Sequence, residues 1–309
     1  FAADSACRLR YGTGAGHDSD TLVILATGET LSYLEPCGCR AKQRGGLPRR
    51  DTVRQQLARK YENVLLVDNG DFTEKPSRLD LVKADTLIKA MSLMRYAAMA
   101  VGDQDAAVGI SRVKSLHEKA RFPFLCANLF EAKSDRLLFP GYTIKRFQIM
   151  GHELRVGIVG LLGKEFDSTI RRRNPQLAIG SAIDSLREAL SDLESRAHVA
   201  VLLYHASRSA AIRLAWRFPT INVIVAGHDR TVPQITRMHG RDQVVIGYGT
   251  RGTYVATVPI LLSDSGKWIT GKPELIALTD EIPDSPAMIE IIKGHEKRLR
   301  DEGLLKLVK

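Results

Sequence analysis

The strongest constraint in this sequence is the repeated alternation of short apolar runs with segments of helical periodicity. Residues 21–27 (TLVILAT), 64–67 (VLLV) and 198–204 (HVAVLLY) are rich in aliphatic residues and are typical of buried strands. Residues 182–197 instead show the spacing of an amphipathic helix. This alternation predicts an α/β fold with helices packed outside a mostly parallel core.

The remaining elements follow the same pattern, with a few direct strand–strand connections. One hairpin is predicted from residues 142–150 and 154–162, which flank Gly151-His152. We expect a loose leader over 1–20, one domain over 21–275, and a charged helical tail over 276–309. Further strands are predicted at 97–101, 122–129, 222–226, 243–248 and 254–262, and helices near Pro48 and at 79–96, 207–216 and 284–304.

The charge of the chain limits its partners. The formal net charge of +10 favours an acidic protein partner or an anionic ligand. Basic clusters joined to stacking aromatics are absent from the sequence, so nucleic acid is not expected as a partner. The run Arg171-Arg172-Arg173 is expected to form a solvated basic surface.

Two features bear on the cellular compartment. No stretch approaches the roughly 18 apolar residues of a membrane span, so no transmembrane segment is expected. The start at Phe1-Ala2-Ala3 resembles a trimmed export signal, which favours a periplasmic or extracellular location; an arbitrary cut is the alternative.

The cysteines leave three outcomes open. The Cys37-Gly38-Cys39 pair could form a strained local disulfide, pair with Cys7 or Cys126, or stay as thiols that hold a soft metal.

Polar side chains follow five predicted strands, at the points where those strands end. Open α/β sheets place ligands at this edge, and carboxylates and imidazoles are common metal ligands. Taken singly, Asp71 could be a turn residue and His205 a buried core histidine, but their common placement favours a metal site. The residues are Glu29, Asp71, Asp103 with Gln104 and Asp105, His205, and His228 with Arg230.

Six short motifs, in order from about residue 21 to 265, resemble the 5′-nucleotidase branch of the calcineurin-like metallophosphoesterase family. The resemblance implies a four-layer α/β/β/α sandwich. The matching segments are 45–50 (GGLPRR, for "GGLAR"), 67–71 (VDNGD, for "LDxGD"), 101–105 (VGDQD, for "GNHE"), 122–128 (FPFLCAN, for "FPxLxAN"), Tyr204-His205 (for "SH") and 226–230 (AGHDR, for "GHxH").

The family binds two divalent metals that share a bridging aspartate. By resemblance, Asp71 is that bridge, Asp103 replaces the usual Asn, and His205 and His228 complete one metal shell. The other shell is damaged. Its "DxH" motif is replaced by Glu29-Thr30-Leu31, and the second His of "GHxH" is Arg230, whose guanidinium could pair with Asp71. Glu29 and Arg230 are therefore secondary candidates, and at most one divalent ion (Zn, Mn or Fe) is expected per chain, or none.

No catalytic residue is assigned from the sequence. Gln104 stands where the family has its proton-donating His, and Ala107 where it has the Asp that orients that His. An amide cannot act as a general acid at neutral pH. The leading interpretation is a non-catalytic binding or accessory subunit of a larger assembly. The alternatives are a slow one-metal phosphoester hydrolase and, more weakly, a thiol or metal-relay role for Cys37 and Cys39.

Overall fold

The fold consists of two large sheets packed face to face, with helices on both outer surfaces. A computed structural model describes residues 18–36, 43–134, 136–228 and 232–305. Its strands are β1 (Asp18–Thr27), β2 (Tyr61–Asp68), β3 (Ala98–Ala100), β4 (Phe124–Leu125), β5 (Leu129–Glu131), β6 (Arg136–Leu137), β7 (Tyr142–Ile149), β8 (His152–Leu162), β9 (Leu177–Ile179), β10 (Val199–His205), β11 (Val223–Ala226), β12 (Gln234–Arg237), β13 (Val244–Gly247), β14 (Tyr254–Leu262), β15 (Trp268–Thr270) and β16 (Glu274–Ala277).

The helices lie mainly between successive strands. They are α1 (Leu47–Lys60), α2 (Arg78–Leu93), α3 (Asp103–Ala107), α4 (Ile110–Lys119), α5 (Asp167–Arg173), α6 (Ala182–Leu193), α7 (Arg208–Arg217) and α8 (Pro286–Asp301), with a 3₁₀ turn at Lys164–Phe166. None of these helices is long and apolar enough to cross a bilayer.

The first sheet has the strand order β15-β14-β1-β2-β3-β4, with β16 also paired to β14. Strands β1 to β4 are parallel, and β14 runs antiparallel to β1. The second sheet has the order β12-β13-β11-β10-β8-β7, with a parallel centre and antiparallel edges. The mostly parallel core predicted from the sequence is therefore confirmed for both sheets.

Three apolar layers hold the sandwich together. Between the sheets, Leu22 and Ile24 of β1 join the same buried cluster as Ile158 of β8 and Val201 of β10. Helices α1, α2, α4 and α8 cover the outer face of the first sheet, and α6 and α7 cover that of the second. The four-layer α/β/β/α architecture is confirmed.

The structure differs from the sequence prediction at residues 122–129. Instead of one strand, the chain forms β4 and β5, separated by the segment from Cys126 to Asn128. The side chain of Asn128 binds the N–H and C=O of Leu162 in the second sheet, at 2.9 and 2.7 Å. At this point the chain leaves the first sheet, and the Asn128 amide attaches it to Leu162 of the second sheet.

The C-terminal helix α8 packs on the body of the domain. Met288 and Ile292 belong to the core that covers the first sheet, and Leu299 packs with Val82 of α2. The division into a leader, a domain and a tail stays a prediction.

Candidate metal centre

Four polar side chains from the two sheets meet at the carboxyl ends of the parallel strands. Asp71 follows β2 and Asp103 begins α3 just after β3, while His205 ends β10 and His228 follows β11. Each offers one ligand atom, and these atoms all lie within 4.8 Å of one another. Asp71, Asp103 and His205 are buried, and the His228 side chain is 33% exposed.

One carboxylate oxygen lies between the two imidazoles. Asp103 Oδ1 is 3.1 Å from His205 Nε2 and 3.1 Å from His228 Nδ1. Asp71 Oδ2 lies slightly farther from the same nitrogens, at 3.5 and 3.8 Å. The atoms that converge are therefore imidazole nitrogens and carboxylate oxygens, the donor set that Zn²⁺ and other first-row divalent metals take in proteins.

Asp71 is held by a turn at the end of β2. Asp68 Oδ1 accepts the N–H of Gly70 at 2.9 Å, which closes the turn. The N–H of Asp71 donates to Asp105 Oδ2 at 2.7 Å, and Asp71 Oδ1 accepts the N–H of Gln104 at 2.9 Å. These bonds fix the backbone of Asp71 and its Oδ1 atom, which leaves Oδ2 to face the imidazoles.

The imidazole of His205 has a defined orientation. Its Nδ1 lies 3.0 Å from the carbonyl oxygen of Asn69, which can only accept a hydrogen bond, so Nδ1 is the protonated nitrogen. Nε2 consequently faces the two carboxylates and, in the neutral ring, presents a lone pair. A backbone carbonyl that fixes the tautomer is a common support for metal-binding histidines. The ring of Phe166 packs edge-on against His228, with centroids 4.6 Å apart.

The charges of the cluster stabilise one another. Burial alone would lower the pKa of His205, but the charge of Asp71 and the hydrogen bond with Asp103 raise it well above 6.5. Contacts with Asp103 and Asp71 raise the pKa of His228 to about 9. Burial would raise the pKa of Asp103, yet the two histidines hold it well below its ordinary value. The carboxylates thus favour positive charge between them, as a cation site requires.

Glu29 lies beside this cluster with its side chain already engaged. It is buried, and its Oε1 accepts the backbone N–H of His228. Its pKa is raised by burial and by the charge of Asp71, against an opposing effect of His205. Glu29, Asp71 and His228 all have left-handed φ angles, of 43°, 51° and 58°. Such strain at non-glycine residues concentrates at functional sites.

Comparison with known proteins relates the chain to 5′-nucleotidases. No family model matches the chain. The human 5′-nucleotidase is 27% identical over 296 residues, which is 86% of this chain and 51% of that protein. A snake venom 5′-nucleotidase of Crotalus adamanteus is 26% identical over 259 residues, or 78% of this chain and 44% of the venom protein. The chain thus spans about half the length of the relatives it matches.

Solved structures carry the same fold. A 5′-nucleotidase precursor from Thermus thermophilus superposes with a TM-score of 0.78 at 23% identity, over 91% of this chain and 59% of the other. This chain folds as a 5′-nucleotidase-like metallophosphoesterase domain. The calcineurin-like phosphoesterase YfkN of Bacillus subtilis shares the fold with a TM-score of 0.75 at 18% identity, over 90% of this chain and 97% of that chain.

The site residues predicted from the sequence have different outcomes in this domain. Asp71, Asp103, His205 and His228 come together, and Glu29 lies next to them. Their assignment as metal ligands stays a prediction. Arg230 lies outside the described residues, as do Cys7, Cys37 and Cys39. Cys126 is a free, buried thiol, so a disulfide to Cys126 is not formed. The other outcomes left open for the cysteines, pairing with Cys7 among them, stay predictions.

Gln104 and Ala107 stand at the positions where the related family has its proton-donating His and the Asp that orients it. Gln104 Nε2 donates to Asp103 Oδ2 at 2.8 Å, and its Oε1 accepts from Arg173 at 3.3 Å. Ala107 is buried at the end of α3. Arg171, Arg172 and Arg173 are all exposed, which confirms the predicted solvated basic surface. Arg173 in addition contacts Gln104, because the 3₁₀ turn and α5 bring it there.

Two carboxylates support the site without belonging to the four predicted metal ligands. Asp105 accepts hydrogen bonds from the N–H groups of Asp71, Gly102 and Thr73. Asp68 binds Thr27 Oγ1 at 2.6 Å as well as Gly70. The only sequence signal was the density of Asp near two strand ends, which did not separate ligands from supporting residues.

Proposed function

We propose that this metallophosphoesterase-like domain binds a single divalent metal ion through Asp71, Asp103, His205 and His228. The supporting observation is the convergence of their four ligand atoms within 4.8 Å. The donor set fits Zn, Mn or Fe, and His205 and Asp71 are already oriented by Asn69 and Gln104. An ion bound there supplies Lewis-acid polarisation of an anionic oxygen.

We infer one ion rather than two because the ligand set that the family uses for its other metal is incomplete in this chain. Leu31 offers no donor, and an oxygen of Glu29 is occupied by the N–H of His228. Within the described parts of the chain, the four-residue cluster is the one group of three or more His, Cys, Asp or Glu side chains with the spacing of a metal site.

We further propose that the domain acts in binding rather than in turnover, as an accessory part of a larger exported assembly. Gln104 supports this, because an amide cannot protonate a leaving group. The net charge of +10 supports an acidic partner or an anionic ligand. Relatives named for snake venom and a solved relative described as a precursor support export.

A slow one-metal phosphoester hydrolase is the second candidate, favoured by the intact four-residue cluster. A thiol or metal-relay role of Cys37 and Cys39 remains a hypothesis about residues outside the described ones.

Metal content and turnover together test these proposals. Protein purified without chelator and dialysed against Mn²⁺ or Zn²⁺ is expected to retain about one ion per chain by mass spectrometry of the metal, and Asp71→Ala to retain none. Less than about a tenth of an ion in the native protein would overturn the proposal.

Hydrolysis of p-nitrophenyl phosphate distinguishes binding from catalysis. We expect no turnover above that of Asp71→Ala. Turnover that Asp71→Ala abolishes would instead establish the hydrolase, and Gln104→His would then be expected to increase it, since a general acid contributes about 10²–10⁴-fold.

A further inference from the structure

An arginine lies at the rim of the proposed metal site, connected to it through one side chain. Arg173 is the last residue of α5, and its Nη1 donates to Gln104 Oε1 at 3.3 Å. Gln104 Nε2 in turn donates to Asp103 Oδ2 at 2.8 Å. Asp103 Oδ1 contacts both imidazoles. A guanidinium is therefore linked to the cluster through a single amide.

The two neighbours of Gln104 define how its amide is oriented. The carboxylate of Asp103 only accepts hydrogen bonds and the guanidinium of Arg173 only donates them, so the amide nitrogen must face Asp103 and the oxygen must face Arg173. In the reversed orientation two oxygens and two sets of N–H groups would oppose each other. Gln104 thus holds a cation beside the site.

The rest of α5 is arranged so that Arg173, rather than its neighbour Arg171, faces the site. Arg171 pairs with Asp167 at 3.0 Å on the same helix. The next residue, Asn174, donates to the carbonyl of Ala106 in α3 at 3.1 Å. This bond fixes the end of α5 against the helix that carries Asp103 and Gln104.

The net charge of the metal-loaded cluster indicates what Arg173 can contribute. The carboxylates of Asp71 and Asp103 together neutralise a divalent ion, and the Glu29 side chain is buried next to them. A metal-loaded cluster therefore offers an anion no net positive charge from its ligands. The planar guanidinium carries a permanent charge and a fork of donors that matches the oxygens of a tetrahedral oxyanion.

We propose that Arg173, positioned by Gln104, is the residue that recognises the anionic group of the ligand at this site. The ligand class is a doubly charged tetrahedral oxyanion, such as sulfate, phosphate or the phosphate group of a monoester. This inference rests on the proposed metal site, because the oxyanion would be held between the metal and the arginine.

Isothermal titration of Mn²⁺-loaded protein with sulfate in chloride buffer tests the inference, with phosphate as a second arm. Arg173→Ala is expected to weaken oxyanion binding about tenfold or more, since a hydrogen bond to a charged group contributes about that much. Arg173→Lys keeps the charge without the fork and should recover part of the affinity. Arg171→Ala removes the same charge from the same helix and should stay within about twofold of wild type.

Measurement of Mn²⁺ affinity in each variant separates the two proposals. All three arginine variants should bind Mn²⁺ as the wild type does. Absence of Mn²⁺ uptake by the wild type would overturn the proposed function and this inference with it. If the wild type takes up Mn²⁺ normally, either of two results would overturn this inference alone. One is that Arg173→Ala leaves the sulfate and phosphate affinities unchanged, and the other is that neither oxyanion binds. A loss in one arm only would identify which oxyanion the arginine serves.

Discussion

The backbone N–H of Asp71 donates a 2.7 Å hydrogen bond to Oδ2 of Asp105, a residue that follows the next strand of the sheet. Asp105 is fully buried and also accepts from the N–H of Gly102 and from the N–H and hydroxyl of Thr73. One carboxylate therefore connects the loops after β2 and β3.

Removal of this carboxylate is expected to damage both stability and the site. Asp105→Ala leaves buried donors without partners, and because each costs about 1–3 kcal/mol, we expect the free energy of unfolding to fall by about 4 kcal/mol or more. Urea denaturation followed by circular dichroism measures the change, and metal affinity should fall in parallel. Asp105→Asn keeps one oxygen acceptor and should be intermediate. Stability of Asp105→Ala within roughly 0.5 kcal/mol of wild type would contradict this role.

Cys126 is expected to be chemically inert in the folded protein. Its side chain is buried, and burial raises the pKa of the thiol to about 12. The reactive thiolate is therefore scarce at neutral pH. Treatment of native protein with iodoacetamide at about pH 8, followed by peptide mass spectrometry, should leave Cys126 unmodified. The same treatment in denaturant should modify it fully, which is the internal control; rapid labelling of the native protein would count against the prediction.

Asp85 is expected to make the protein acid-sensitive. Partial burial would raise its pKa, but hydrogen bonds from Lys119, Arg112 and Arg298 lower it below 3.8. Because the pKa is lower in the folded state, the stabilisation is present above pH 3.8 and is lost as the pH falls towards the folded pKa. At neutral pH, Asp85→Asn should cost about 1–2 kcal/mol.

The test is the difference in unfolding free energy between the wild type and Asp85→Asn, measured from neutral pH down to strongly acid pH. The difference should shrink as the pH falls. A difference that stays constant over this range would show that the three cations do not stabilise the charged form.

Gly160 is expected to tolerate no side chain. It lies on β8 where the sheets meet, and a Cβ atom there would lie 2.6 Å from the carbonyl carbon of Leu125 and 2.7 Å from its Cβ. Since the nearest atoms include backbone, Gly160→Ala should lower the unfolding free energy by about 1–3 kcal/mol.

Gly294 of α8 provides the matched control for Gly160. A Cβ atom there would meet nothing within 4 Å. Gly294→Ala should therefore raise stability by about 0.5–1 kcal/mol, because alanine loses less backbone entropy in a helix. Equal effects of the two substitutions in thermal unfolding would contradict this account of sheet packing.

The sequence predicted the elements that are buried and missed several that are not. Apolar runs identified β1, β10 and β11 because both faces of these central strands are covered. Strand β12 was missed because its residues are polar and partly exposed, and its pairing with β13 comes from the fold. The break between β4 and β5 depends on Asn128 reaching a distant strand, which no local pattern reveals.

The candidate site was predictable in composition but not in arrangement. The rule that ligands gather at strand ends, together with the family resemblance, brought Asp71, Asp103, His205 and His228 into one prediction. The contacts of Phe166 and Arg173 could not be predicted, because they depend on how the segment after β8 folds back over the site.

The four residues of the cluster are divided between the sheets, with Asp71 and Asp103 contributed by the first and His205 and His228 by the second. Neither half of the sandwich contains a complete site, so the cluster exists only while the two halves are docked. An ion that bound all four residues would link the two sheets across the interface between them. Its affinity would then report on sheet docking, and a mutation that loosens the packing far from the strand ends would appear first as a loss of metal.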